Sequence, residues 1–303
     1  MFIWNLCAFM GTSIFALNFI SMKILTKFLP TMLIVFLRFG LAGIFLFLFL
    51  IIKKKNVLVN NKPDLLKLFI SALFGMSLYY YFFTSSLQYI SPALASLICS
   101  IIPILTLLFD CIINKTKAKK ITVFLFLLSI FGVYLVIDVK GVSNIFSTAK
   151  GFSLMILGVV SWIIYTIKVE YLLEKYDSIL VLAYQCIFGS LIIGVFAFED
   201  ITILKNIPSS QDFILITTNI LFVSLIATVA GYLLYNLSIK NLGVTKPSLY
   251  MNTMPIITLI ASYFLLNSTI TYRKVIGIMI VIISAMIVTV KENDSLNLTK
   301  ESL

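Results

Sequence analysis

SLICSIIPILTLLFD (Ser96–Asp110) and SLYMNTMPIITLIAS (Ser248–Ser262) lie 152 positions apart and follow one plan. Each is an apolar run with a proline in its middle and polar residues at matched places. Proline has no N–H and crowds the carbonyl four residues earlier, so both runs predict helices that kink or open at Pro103 and Pro255. Ser96, Ser100, Thr106 and Asp110 flank the first proline; Ser248, Asn252, Thr258 and Ser262 flank the second. At about 100° per residue, each set with its proline fits within a sector of about 120°, which gives each helix one polar face. In lipid an opened helix needs partners for its freed carbonyl, so these faces are expected against protein or a wetted pathway. The plainer alternative is that the hydroxyls only glue helices together. Recurrence at matched positions favours a shared pathway.

The surrounding chain explains why the comparison is made in lipid. Of 303 residues, 61% are hydrophobic and 12% charged, with a mean hydropathy of +1.10, too few charges to cover a soluble domain of this length. Ten apolar runs are long enough to cross a hydrocarbon core of about 30 Å. They cover roughly 2–21, 32–52, 64–86, 92–113, 121–138, 151–170, 178–198, 212–237, 244–266 and 271–291. The runs are too long and too uniformly apolar for the strands of an outer-membrane barrel, which leaves helices. The first run lacks a basic leader and a small-residue cleavage site, so it is read as the first span and not as a removed signal. The fold expected is an all-α integral membrane protein.

Charge sets the orientation. With the N-terminus inside, the inside segments hold 15 Lys/Arg and the outside segments 7, and Arg38 within the second span completes the 23. The excess marks the cytoplasmic side and places both termini there. The clusters KKKNVLVNNKPDLLK (Lys53–Lys67) and NKTKAKK (Asn114–Lys120) carry most of the net +11. They read as topology signals and lipid-headgroup contacts, not as a nucleic-acid surface, which would need interleaved aromatic platforms.

The chain reads as two copies of one unit. At the 152-residue shift Tyr80 matches Tyr232, Phe83 matches Tyr235, Ser86 matches Ser238, Pro103 matches Pro255 and Thr106 matches Thr258. Earlier in each half the shift is 147, and Phe15 faces Trp162, Asn18 faces Tyr165 and Arg38 faces Gln185. Five spans per copy reverse the chain direction, so ten transmembrane helices form two inverted five-helix repeats. The copies cover 1–138 and 151–291, joined by the polar loop 139–150 and followed by a cytoplasmic tail, 292–303.

Further pathway candidates come from the aromatic pairs. Tyr80, Phe83, Tyr232 and Tyr235 could wall a cavity for an amphipathic or cationic substrate, with Trp162, Tyr165 and Asn18 as weaker members. An interfacial aromatic belt is the competing reading. Arg38 sits seven residues into the second span, about 10 Å below its outer end. It either meets a substrate carboxylate or holds a gate, or it bonds helix-end carbonyls and snorkels to the headgroups. Lys23, Asp110, Asp138, Lys168 and Glu170 lie near span ends, where capping or snorkelling is expected.

Enzyme chemistry finds no support in these residues. Histidine is absent, and Cys7, Cys99, Cys111 and Cys186 fall in apolar runs with no C-x-x-C pair, so a metal site and the usual triads are not expected. No phosphate-binding glycine motif occurs, and no cofactor is expected. None of the twelve carboxylates lies at mid-span, which weakens proton coupling; a coupling ion or proton stays open as a partner.

FALNFISMK (Phe15–Lys23), Pro30 followed by Arg38, SWIIYTI (Ser161–Ile167), YISPALASLICSIIPILTLL and NLGVTKPSLYMNTMPIITLI together resemble the EamA family of the drug/metabolite transporter superfamily. Phe15-Ala16 replaces the family's Trp-Gly. The resemblance runs from about residue 2 to 291. It implies a secondary carrier of small metabolites, often an exporter of amino acids or related compounds, working by alternating access in the cell membrane. A multidrug or choline-like cation carrier is the alternative within transport, though a carboxylate in the first span is missing. A non-transporting scaffold or regulatory subunit is the alternative outside it.

Overall fold

Side-chain size and polarity, more than hydropathy, decide which face of each helix turns inward. Along α2 (Thr31–Ile52) Arg38, Phe39, Ala42, Gly43, Leu46 and Leu50 are buried, while Ile44, Phe45, Leu48 and Ile52 are exposed. The outward face is as oily as the inward one, as a helix facing lipid tails requires. The same holds for the chain as a whole in this computed structural model, which describes residues 2–55, 57–102, 104–105, 120–137, 145–206, 209–242, 247 and 250–301.

The described residues form helices and no strand. After α1 (Phe2–Leu25) and α2 come α3 (Lys62–Ala72), a π-helical segment at Leu73–Leu78 and α4 (Tyr79–Ser86), which run on as one rod. Then follow α5 (Pro92–Cys99), α6 (Lys120–Val136), α7 (Ile145–Lys175), α8 (Ser178–Ala197) and a 3-10 segment at Glu199–Asn206. A second continuous rod joins α9 (Ser210–Leu221), a π-helical segment at Phe222–Gly231 and α10 (Tyr232–Leu242). The chain ends with α11 (Met254–Leu266) and α12 (Tyr272–Glu301). Among the described residues, six helices are long and apolar enough to cross a membrane: Phe2–Leu25, Thr31–Ile52, Lys62–Ser86, Phe146–Lys175, Ser178–Ala197 and Ser210–Leu242. Lys120–Val136 and Met254–Leu266 are apolar but shorter.

Local chemistry fixes where helices begin and end. Ser91 caps α5 by accepting from the Leu94 N–H at 3.3 Å, with Pro92 in the first turn, where its missing N–H costs nothing. Asp177 and Ser209 cap α8 and α9 in the same way, accepting from Ile179 and Asp212. Past α11 the chain turns through Asn267 at φ 52°, a left-handed conformation that asparagine tolerates.

Two compact units result. One comprises Met1–Ile20, Ser91–Ile145 and Leu237–Leu303; the other comprises Ser21–Ile90 and Phe146–Asn236. In the first, α6 packs on α12 and α5 on α11. A Cβ on Gly132 would come within 2.8 Å of the Gly277 carbonyl oxygen, and one on Gly277 within 2.5 Å of the Gly132 oxygen. The glycines therefore let two backbones meet, the usual device for helix association in lipid. In the second unit α2 lies along α8, with Gly43 against Ile187 and Gly40 against Ser190.

Candidate functional site

The second unit gathers most of the aromatic candidates around one arginine. Arg38 is fully buried, so it does not snorkel; its charge is kept inside the protein. Its Nε donates to the Thr228 hydroxyl at 2.8 Å and an Nη to the Tyr80 hydroxyl at 3.3 Å. The guanidinium carbon also lies 4.1 Å from the centre of the Tyr80 ring and 5.3 Å from that of Phe39. Such contacts suit a guanidinium, whose faces are weakly hydrated and attracted to π-clouds. Tyr80 and Tyr232, 152 positions apart, meet hydroxyl to hydroxyl at 3.1 Å.

Rings extend this centre into a wall. Tyr80 packs edge-on against Phe39, Tyr79 and Phe83, with centroids 4.9, 4.8 and 5.8 Å apart. Trp162 lies 4.9 Å from Tyr79, 5.0 Å from Tyr165 and 6.2 Å from Tyr232. Of the sequence candidates, Arg38, Tyr80, Phe83, Tyr232, Trp162 and Tyr165 thus come together, and Tyr235 is half-buried along α10. Burial removes these residues from an interfacial belt.

The helices that carry this cluster are wound unusually, and at matched places. Leu73–Leu78 shifted by 152 falls within Phe222–Gly231, so both rods widen to a π turn at equivalent positions. A π turn leaves one residue out of the α pattern and is found at functional sites more often than elsewhere. Within the second, the Thr228 hydroxyl donates to the Val223 carbonyl five residues back at 2.8 Å and so leaves its oxygen to accept from Arg38. Gly75, in the first, is where the Tyr165 ring rests; a Cβ would collide with that ring. Gln185, 147 positions after Arg38, donates to Ser71 at 2.9 Å. Arg38 of α2 therefore reaches the second rod, and Gln185 of α8 reaches the first.

The first unit holds the polar faces around the prolines. The helical pattern gives way to a turn at Ser100–Ile101 and again at Asn252–Thr253, 152 residues on. The helix after the second break restarts at Met254 with Pro255 in its first turn. Both openings lie two to three residues before a proline, where its missing N–H and its ring disturb the helix. Pro103, Thr106, Ser248, Asp110 and Asp138 lie outside the described residues. Ser96 and Ser100 are buried and donate to their own helix, to Ala93 at 3.0 Å and Leu97 at 2.7 Å. Thr258 donates to the Ala16 carbonyl of α1 at 3.3 Å. Asn18 is buried as well. Asn252 is fully buried, and among the described residues neither its Oδ1 nor its Nδ2 has a hydrogen-bond partner.

Several further groups take roles at or beside the cluster. Tyr79, Phe39 and Thr228 belong to the cluster; only the hydroxyl of Thr228 in the middle of an apolar run pointed to it. Lys23 donates to the Leu87 carbonyl, and to that of Ile90 at 3.4 Å, and so caps the end of α4, as its place near a span end implied. Buried Asp64 accepts from Lys175 at 2.6 Å, Tyr176 at 2.7 Å and Asn61 at 2.9 Å. The carboxylate beside Tyr176 raises that phenol above its ordinary pKa. Lys55 pairs with Asp177 at 2.6 Å.

Chemically, the cluster offers a buried positive charge, hydroxyls and rings, and among the described residues no group of three or more metal-binding side chains. Such an arrangement can bind a small molecule.

Known proteins agree with a transport role. The sequence model of the EamA-like transporter family matches residues 2–138 and 149–290. An uncharacterized transporter of Archaeoglobus fulgidus is 29% identical over 275 residues, 91% of this chain and 94% of its own length. The uncharacterized transporter YyaM of Bacillus subtilis is 29% identical over 257 residues, 82% of this chain and 81% of its own. A crystal structure shares the fold over 95% of both chains, with a TM-score of 0.62 at 17% identity.

Proposed function

Because the chain belongs to the EamA-like transporter family, we propose that it is a secondary carrier exporting a small polar metabolite, an amino acid or related compound, by alternating access. Ten spans in two inverted repeats, 1–138 and 151–291, form the carrier in the cytoplasmic membrane, with both termini inside.

The observation that carries this reading is the Tyr80–Tyr232 hydroxyl contact. These positions are 152 apart, the repeat shift, and their oxygens lie 3.1 Å apart. Equivalent residues of two copies touch where the axis relating the copies passes. In an inverted repeat that axis lies in the membrane plane near mid-depth, where carriers hold their substrates. Arg38 donates to the same Tyr80 hydroxyl, so its charge belongs at that depth, where an ionised group is costly and marks function.

A guanidinium pairs with a carboxylate through parallel N–H donors, which favours a substrate carrying one. The rings alone would suit an organic cation, but a fixed positive charge among them repels it. The cation-carrier reading is therefore the weaker. The pairs Lys55–Asp177 and Lys175–Asp64 join segments that alternate spans assign to one side, and their lysine content makes that side cytoplasmic.

A melting screen tests this directly. L-Phenylalanine and L-leucine, set against phenethylamine and isoamylamine, differ in their carboxylate. Stabilisation by an acid and not by its amine, lost in Arg38→Gln, is the expected result, because a ligand of the folded state raises its melting temperature. Equal stabilisation by the amines would move the assignment to a cation carrier.

A further inference from the structure

Asn252 presents an unexplained pair of polar atoms. A buried amide without hydrogen bonds forfeits the solvation it had in water, and native proteins seldom leave both ends of one carboxamide in that state. Here Oδ1 and Nδ2 both lack a partner among the described residues, and the residue is 0% exposed. It also sits in the turn that interrupts its helix, between Tyr250 and the Pro255 turn, where the Thr253 N–H reaches back only three residues, to Tyr250, at 3.0 Å.

The neighbourhood has a defined character. Phe9 meets Tyr250 with ring centroids 6.5 Å apart, and Ala16 accepts from Thr258, so α1 and this segment run side by side in one direction. Interpolating between those contacts puts Gly11 nearest the level of Asn252, with Thr12 the next residue along α1. Thr12 is buried, and its hydroxyl proton is committed to the Ala8 or Phe9 carbonyl, which leaves the oxygen as an acceptor. No charged residue occurs in Phe2–Ile20 or in 247–266.

We propose that Asn252 is the recognition group of a polar ligand site, for a ligand group that presents an N–H donor and an acceptor side by side without net charge. A simple cation would satisfy only Oδ1 and a simple anion only Nδ2; a paired donor and acceptor satisfies both. Carboxamides, nucleobase edges and zwitterions carry such a pair. The site deepens the carrier reading and rests on it for its purpose, though its binding chemistry can be measured without transport.

The test uses full-length protein in nanodiscs. Asn252→Leu removes an amide that bonds to nothing in the folded state, so its melting temperature should rise by about a few degrees. Asn252→Cys, with the native cysteines replaced by serine, should react with 2-aminoethyl methanethiosulfonate. Nicotinamide and uracil should each raise the melting temperature of the wild-type protein, choline and succinate should not, and Asn252→Leu should abolish the shift. A lowered melting temperature in Asn252→Leu together with an unreactive Asn252→Cys would make the amide a packing group and overturn the site. Equal shifts with all four probes, or a water-accessible site at which no probe raises the wild-type melting temperature, would overturn the ligand class. Flux is scored separately in proteoliposomes: stabilisation without flux keeps the site and removes the carrier, and flux without stabilisation does the reverse.

Discussion

Arg38 shows how far a single residue can be read from sequence. Hydropathy revealed a charge within an apolar run; it did not say which way the side chain turns, because the arginine stem is long enough to snorkel or to bury. Fold context decides it: the Thr228 hydroxyl and the Tyr80 ring stand where the guanidinium can use them. Thr228→Val keeps the shape and removes the acceptor, leaving one donor of a buried charge unmatched. That should cost about 1.5–3 kcal/mol, seen as a lower melting temperature of the purified protein. Arg38→Lys keeps the charge without the planar fork, and should retain less than a tenth of the wild-type flux while the protein reaches normal levels in the membrane. Wild-type flux in that variant would mean that only charge matters.

At the scale of elements, the prolines told more than the helices did. Matched prolines and polar residues foretold openings in two spans, and turns stand at Ser100–Ile101 and Asn252–Thr253. The π turns at Leu73–Leu78 and Phe222–Gly231 had no comparable signature, since no residue type dictates a five-residue bond. They follow from tertiary demands, such as the Tyr165 ring lodged on Gly75. Gly75→Ala should displace that ring and loosen its contact with Trp162, 5.0 Å away. With Trp4 changed to phenylalanine, Trp162 emission reports the shift; an unchanged spectrum would show that the π turn absorbs the methyl group. Helix contact can be probed likewise. Gly132→Val forces α6 from the Gly277 carbonyl and should destabilise the protein by about 1–3 kcal/mol, measured by thermal melting.

For the molecule as a whole, the apolar composition already pointed to a helical membrane protein. What it could not supply was partnership across distant segments. Asp64 with Lys175, or Tyr80 with Tyr232, become neighbours only when the chain is folded. Lys and Asp near span ends look alike in sequence whether they cap a helix, pair or face headgroups. In the proposed carrier, the substrate site forms at the axis marked by Tyr80 and Tyr232, with Arg38 reading a carboxylate. Proteoliposomes loaded with a uniformly carbon-13-labelled amino-acid mixture test it most directly, with efflux followed by mass spectrometry. The account predicts that at least one amino acid leaves faster than from protein-free vesicles, and that Arg38→Gln cuts this rate at least tenfold. Efflux that the substitution leaves unchanged, or that never exceeds the protein-free rate, would contradict it.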